Sequence, residues 1–128
     1  MFSSVLIELR ASKSEFWFQH GRTECRFYPV IFLSHDRRVE AIGYTKHPTT
    51  GPGIKPFETE DENAFDLLES MLRYGMQSVV GNSFIPRQRH LIIEIHGDIR
   101  SQFKGFTSQI FTQVALQAGA AKVTIKSQ

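Results

Sequence analysis

The sequence predicts an α/β domain in which a mixed sheet of five to six strands packs with two main helices. Three observations predict it. Four short runs rich in β-branched and aromatic residues fill positions 4–44, two later segments carry apolar residues at helical spacing, and each of these segments is followed by an apolar run of strand length. A chain of 128 residues is long enough to bury one ordinary core without metals or disulfides, so a single domain over 1–128 is expected.

The elements follow in order. SVLIEL (4–9), EFWFQ (15–19) and the longer CRFYPVIFLS (25–34) read as the first three strands. His20-Gly21-Arg22 supplies the tight turn between the second and third, because glycine accepts positive φ without steric cost. Pro29 removes one ladder donor from the third run and predicts a bulge or an edge position there. VEAIGY (39–44) is a fourth short strand after the charged turn at 35–38.

The stretch KHPTTGPGIKPF (46–57) holds three of the five prolines and two glycines, which predicts a surface loop. A first helix should start near the acidic run 58–62, where carboxylates meet the positive end of the helix dipole. Its core face is read as Phe65, Leu68, Leu72 and Val79, with Ala64, Leu67, Met71 and Met76 beside them, and Gly81-Asn82 ends it. After Pro86, LIIEIHG (91–97) has the continuous apolar character of a central strand. A second helix is expected over about 100–118, with Phe103, Phe106, Ile110, Val114 and Ala118 on its inner side. Gly119 caps it, and AKVTIK (121–126) is the last strand. Strands, helix, strand, helix, strand is the ribonuclease H-like plan, whose last two crossovers make part of the sheet parallel.

Composition excludes several functions. The 15 Lys and Arg against 13 Asp and Glu leave a net charge of only +2, spread along the chain rather than gathered into a phosphate-neutralising stripe. No nucleic-acid partner is expected. The one cysteine, Cys25, cannot form an intramolecular disulfide, no secretory leader pattern opens the sequence, and no apolar run approaches the length needed to cross a bilayer. The expected location is the cytoplasm, with no integral membrane segment.

Specific residues add a family resemblance. MLRYGMQSVVGNSFIPRQRHLIIEIHG resembles a helix, a Phe-Pro-Arg turn and the following strand of the bacterial actin MreB family, and LQAGAAKVTI resembles that family's Ala-Gly-Ala helix end and next strand. NSFIPRQR and QAGAAKV are the most specific parts, and SVLIELRASKSEFWFQHG and VEAIGY stand where the family has its first phosphate hairpin and a further strand. The resemblance covers nearly the whole chain and implies a degenerate, truncated first subdomain of the actin-like fold.

The resemblance also implies what is missing. In the family a strand ends in Asp and its turn carries Gly and Thr, because backbone amides must approach a phosphate closely. Here the corresponding positions read Glu8, Leu9, Arg10 and Ala11, so Arg10 stands where the glycine would allow contact. The acidic residue that aligns the attacking water has no counterpart, since no Asp or Glu follows Asp98 and Thr107 or a neighbour holds its place. The second phosphate loop and the adenine pocket belong to the half of the fold placed beyond residue 128. No enzyme activity and no cofactor are expected.

Two other chemistries have candidate residues. A metal-dependent ribonuclease H-like nuclease would recruit Glu8, Glu69 and Asp98, but Glu69 reads as a solvated helix residue, Asp98 as a helix cap and Glu8 as an outward strand residue. His20, His35, His47, His90 and His96 show no paired ligand spacing on a helix, and Cys25 adds little. Trp17 and Phe18 read as sheet and core residues rather than a stacking platform.

The remaining oddity is the outer side of the second helix, where Gln102, Thr107, Ser108, Gln109, Thr112, Gln113 and Gln117 are polar and uncharged, with Lys104 the exception. Solvated helices usually carry charge pairs, whereas protein contact surfaces shed charge and keep hydrogen-bonding groups. The resulting expectation is a non-catalytic interaction module that binds a protein, either itself or a bacterial actin and its cell-shape machinery, with residual nucleotide binding as an alternative. Gln102, Ser108, Gln109, Thr112 and Gln113 are the interface candidates.

Overall fold

A computed structural model of the chain describes residues 3–34, 36, 38–43, 53–57, 64–81, 87–102 and 108–126. A five-stranded mixed sheet contains β1 (Ser3–Ala11), β2 (Phe16–His20), β3 (Thr23–Phe27), β6 (Arg87–Ile95) and β7 (Lys122–Lys126) in the order β3-β2-β1-β6-β7. β2 runs antiparallel to both β1 and β3, while β6 is parallel to both β1 and β7. β4 (Ile31–Leu33) and β5 (Val39–Ile42) form a separate antiparallel pair. Three helices complete the set: α1 (Ala64–Val80), α2 (Gly97–Gln102) and α3 (Ser108–Gln117).

Alternation along the strands decides which face is covered. Ile7, Leu9, Phe18, Leu91 and Ile93 point to one side, where they form the core with α1 and α3, while Leu6, Glu8 and Arg10 point to the other. The buried stripe of α1 runs Ala64, Leu67, Leu68, Met71, Leu72, Gly75, Met76, Val79, an i, i+3, i+4 pattern that includes a glycine. Gly75 is there because of contact: an added Cβ would lie 2.0–2.3 Å from three atoms of the Phe18 ring. Gly81 (φ +77°) ends α1 with its N–H on the Gln77 carbonyl at 2.7 Å, and Gly119 (φ +117°) ends α3, as the sequence predicts.

Four expectations need correction. The run 25–34 is not one strand, because Pro29 breaks it: Val30 N–H turns back to the Tyr28 carbonyl at 2.8 Å, and β4 leaves the main sheet to pair with β5. The second helix starts at Gly97 rather than near 100 and is described as α2 and α3 on either side of 103–107; Val114 and Ala118 are buried as expected, but Phe111 and Ala115 join them while Ile110 is only partly buried. Phe65 is half exposed, lying beside the buried stripe in the first turn of α1. The loop segment 53–57 is tied inward: Ile54 and Ile31 exchange backbone hydrogen bonds at 2.8 and 2.9 Å, and Phe57 is 1% exposed, packed on Phe16 and stacked on Phe111. The acidic helix start at 58–62, the loop at 46–52, the turn at 82–86, and Phe103, Phe106 and Thr107 lie outside the described residues.

Candidate functional site

In open α/β sheets, ligands occupy the crevice beyond the carboxyl ends of the strands, at the point where connections leave in opposite directions. Here that point lies between β1, which continues through its hairpin into β2, and β6, which continues through α2 and α3 to β7 on the other side. A cleft of about 350 Å³ opens at these strand ends, lined by Arg10, Ser12, Glu15, Trp17, Glu94 and His96 among others. It is the place where the resemblance puts a phosphate hairpin.

The β1–β2 turn is held by its own side chains. Ser12 N–H donates to the Glu15 carbonyl at 2.9 Å, and Glu15 N–H donates back to Ser12 Oγ at 3.0 Å. At the tip, the Lys13 N–H points at the Asp98 carboxylate, 3.3 Å from each oxygen. The backbone amide at the tip of this turn is therefore directed at a carboxylate of the chain itself.

The sequence suggests Asp98 as the cap of the helix, but it is the second residue of α2. His96 takes that part: its Nδ1 accepts from the Asp98 N–H at 3.1 Å, and its carbonyl accepts from Ile99 N–H at 3.1 Å. The Asp98 side chain reaches across to a turn 85 residues earlier in the chain. His96 Nδ1 also lies 3.1 Å from Asp98 Oδ1.

Arg10 and Glu8 lie on the face of the sheet opposite the helices. Arg10 pairs with Glu94, its cross-strand neighbour, at 3.6 Å, and its guanidinium sits 4.9 Å from the Trp17 ring centroid. Arg26 covers the same ring at 4.3 Å and holds Glu15 with two nitrogens, at 3.0 and 3.3 Å. The Arg26 pKa is raised above its ordinary value, first by that hydrogen bond to Glu15, with partial desolvation working against it and the charges of Glu15 and Glu24 adding to it. Trp17 is neither core nor open platform; it is half-buried beneath two arginines, with its Nε1 enclosed and unbonded. Phe18 is fully buried. Ala11 is buried at the end of β1, its carbonyl accepting from His96 N–H at 2.8 Å.

The three carboxylates considered for metal chemistry are not brought together. Glu8 is exposed on the outer face, Glu69 pairs with Arg73 at 3.4 Å on α1 across the sheet from it, and Asp98 is at the strand ends. No group of three potential ligands occurs among the described residues. His20 bonds the Leu6 carbonyl and His90 bonds Thr124 Oγ1, both at 2.8 Å, so these rings hold strands together.

On α3, Ser108, Gln109 and Gln113 are exposed, while Thr112 is half-buried and donates its hydroxyl to the Ser108 carbonyl at 2.8 Å. Gln102 is the last residue of α2, outside that face as described. Leu116 lies among the exposed residues of α3 with 46% of its surface open, a feature the polar reading of the face passed over. No family model matches the chain, and no curated protein matches it. No helix among the described residues is long and apolar enough to cross a membrane.

Proposed function

We propose that the chain is a non-catalytic, cytoplasmic protein-interaction module related to the first subdomain of the MreB family, and that it docks on a bacterial actin or its cell-shape machinery. The observation that carries the reading is the exposed side of α3, whose ten residues include no charged group and leave Leu116 open beside Ser108, Gln109 and Gln113. Apolar surface set among uncharged hydrogen-bonding groups is the composition of a contact patch. The strand order β3-β2-β1-β6-β7, with three antiparallel strands followed by two parallel ones, supports a ribonuclease H-like fold. The Asp98 carboxylate on the Lys13 amide supports the absence of phosphate binding, because a bound phosphate would meet that carboxylate at close range.

Cosedimentation with purified MreB-type filaments tests the reading. The chain is expected in the pellet, and Gln113→Glu is expected to return it to the supernatant with its melting transition unchanged, since a buried unpaired carboxylate costs several kcal/mol at a contact and little in solvent. Gln113 is better suited than half-buried Thr112 for this purpose. A wild-type chain that stays in the supernatant removes the proposed partner, and saturable heat on titration with Mg-ATP would restore the nucleotide-binding alternative.

A further inference from the structure

The free edge of the sheet at β3 has a property that neither the resemblance nor the α3 face requires. β3 reads Thr23-Glu24-Cys25-Arg26-Phe27, and among the described residues it pairs only with β2. The turn of Gly21 and Arg22 makes His20 and Thr23 the closing, hydrogen-bonded pair of the hairpin, so alternate pairs Gln19·Glu24 and Trp17·Arg26 are the non-bonded ones. The other hairpin gives the same parity: Ser12 N–H bonds Glu15 across the turn, so Trp17 and Gln19 direct their backbone groups to β1, and Phe16, Phe18 and His20 direct theirs to β3. The N–H and C=O of Glu24 and Arg26 consequently point off the edge of the sheet, and both residues are exposed.

We propose that β3 pairs antiparallel with β3 of a second copy, about a two-fold axis at Cys25, joining two five-stranded sheets into one of ten strands. The register is the one the charges select. Glu24 then stands opposite Arg26 of the second copy, and Arg26 opposite its Glu24, so the pairing makes two opposite-charge pairs and exchanges the four backbone groups that the isolated edge leaves to water. Each Arg26, already bound to Glu15 of its own chain at 3.0 Å, gains a second carboxylate. Cys25 faces Cys25 as a non-hydrogen-bonded pair, the closer type, with Cα atoms about 4.5 Å apart. Tyr74, which packs edge-on against Phe27 at 5.4 Å and is 41% exposed, gives the junction an apolar contact on the helix side.

The opposite edge does not offer this. Antiparallel self-pairing of β7 about Thr124 would set Lys122 against Lys126 of the second copy twice, which is a charge pattern that guards an edge. The β3 pairing is independent of α3, so Gln113→Glu leaves it intact, and its failure leaves the α3 reading untouched.

Sedimentation equilibrium of the purified chain is expected to show a monomer–dimer equilibrium. Glu24→Arg and Arg26→Glu each place like charges opposite each other twice and are expected to weaken the dimer about tenfold or more, whereas the double exchange restores the complementary pattern and recovers it. Melting transitions of all three variants report whether the monomer is folded. Diamide supplies a second readout: it takes two electrons and two protons from two thiols and leaves a disulfide between two Cys25 residues. Oxidation is expected to give a reducible dimer with Cys25 and not with Thr23→Cys in a Cys25→Ser background, because residues 23 of the two copies would lie four positions apart, roughly 13 Å. A chain that stays monomeric at millimolar concentration, a dimer unaffected by both single charge variants, or equal crosslinking from positions 23 and 25 would each overturn the proposal.

Discussion

Replacing Gly75 by alanine sets two effects against each other. In the middle of a helix such as α1 (Ala64–Val80), alanine is favoured over glycine by about 1 kcal/mol. The new methyl would lie 2.0 Å from Phe18 Cε1 and 2.3 Å from Cδ1 and Cζ, well inside any tolerated contact. Phe18 cannot swing aside, because it is fully buried with Phe27 stacked at 5.9 Å and Phe16 edge-on at 6.3 Å. Overpacking of this kind costs about 1–3 kcal/mol or more, and three ring atoms in collision put this site at the upper end. The net loss is therefore about 1–2 kcal/mol once the propensity gain is subtracted. For 128 residues the unfolding entropy is about 0.27 kcal/mol/K, so Tm should fall by roughly 4–8 °C. Thermal unfolding followed by far-UV circular dichroism measures it, and in a Phe18→Leu background the same substitution should be neutral or stabilising. A Gly75→Ala protein that melts at or above wild type would refute the close-packing argument.

Phe57→Ala should cost about 3–5 kcal/mol, since the ring is 1% exposed and bridges Phe16 and Phe111, and denaturant titration measures the loss. Asp98→Ala should speed exchange of the Lys13 amide, read by hydrogen–deuterium exchange, while the Ser12–Glu15 hydrogen bonds keep the turn; unchanged protection at Lys13 would mean the carboxylate does not hold that amide. The Arg26 contribution has a definite sign: a pKa raised in the folded state adds stability that is present below the ordinary arginine pKa and is lost only above the raised one. The Tm difference between wild type and Arg26→Gln should accordingly stay constant from pH 7 to pH 10, and a difference that shrinks across that window would contradict the assignment.

Local signals carried much of the fold because they act within a few residues. Alternation placed Ile7, Leu9 and Phe18 on one face, and Gly81 and Gly119 marked helix ends where a positive φ is needed. What escaped depends on partners far along the chain. Phe57 sits in a segment dense in Pro and Gly, yet its burial is decided by Phe16 and Phe111, which composition cannot see. Gly75 reads as a weak point in a helix until the Phe18 ring is set against it. Pro29 was a visible signal whose strength was underestimated: a lost donor is compatible with a bulge, but here the chain turns and leaves the sheet.

The candidate site was legible in position and not in wiring. The run Glu8-Leu9-Arg10-Ala11 lies on β1, and its end forms one wall of the cleft beside β6. Arg10 was expected to obstruct an anion by bulk, but it lies flat on the outer face, drawn to Glu94 and the Trp17 ring. On the proposed reading the obstruction comes from Asp98, whose carboxylate faces the Lys13 amide. Residue preference names Asp98 as the cap, and His96 holds that position instead. The choice between them is made 85 residues away, by an amide of the β1–β2 turn that needs an acceptor. If the proposed reading holds, giving this turn an anion site would require removal of the Asp98 carboxylate before any change at Arg10.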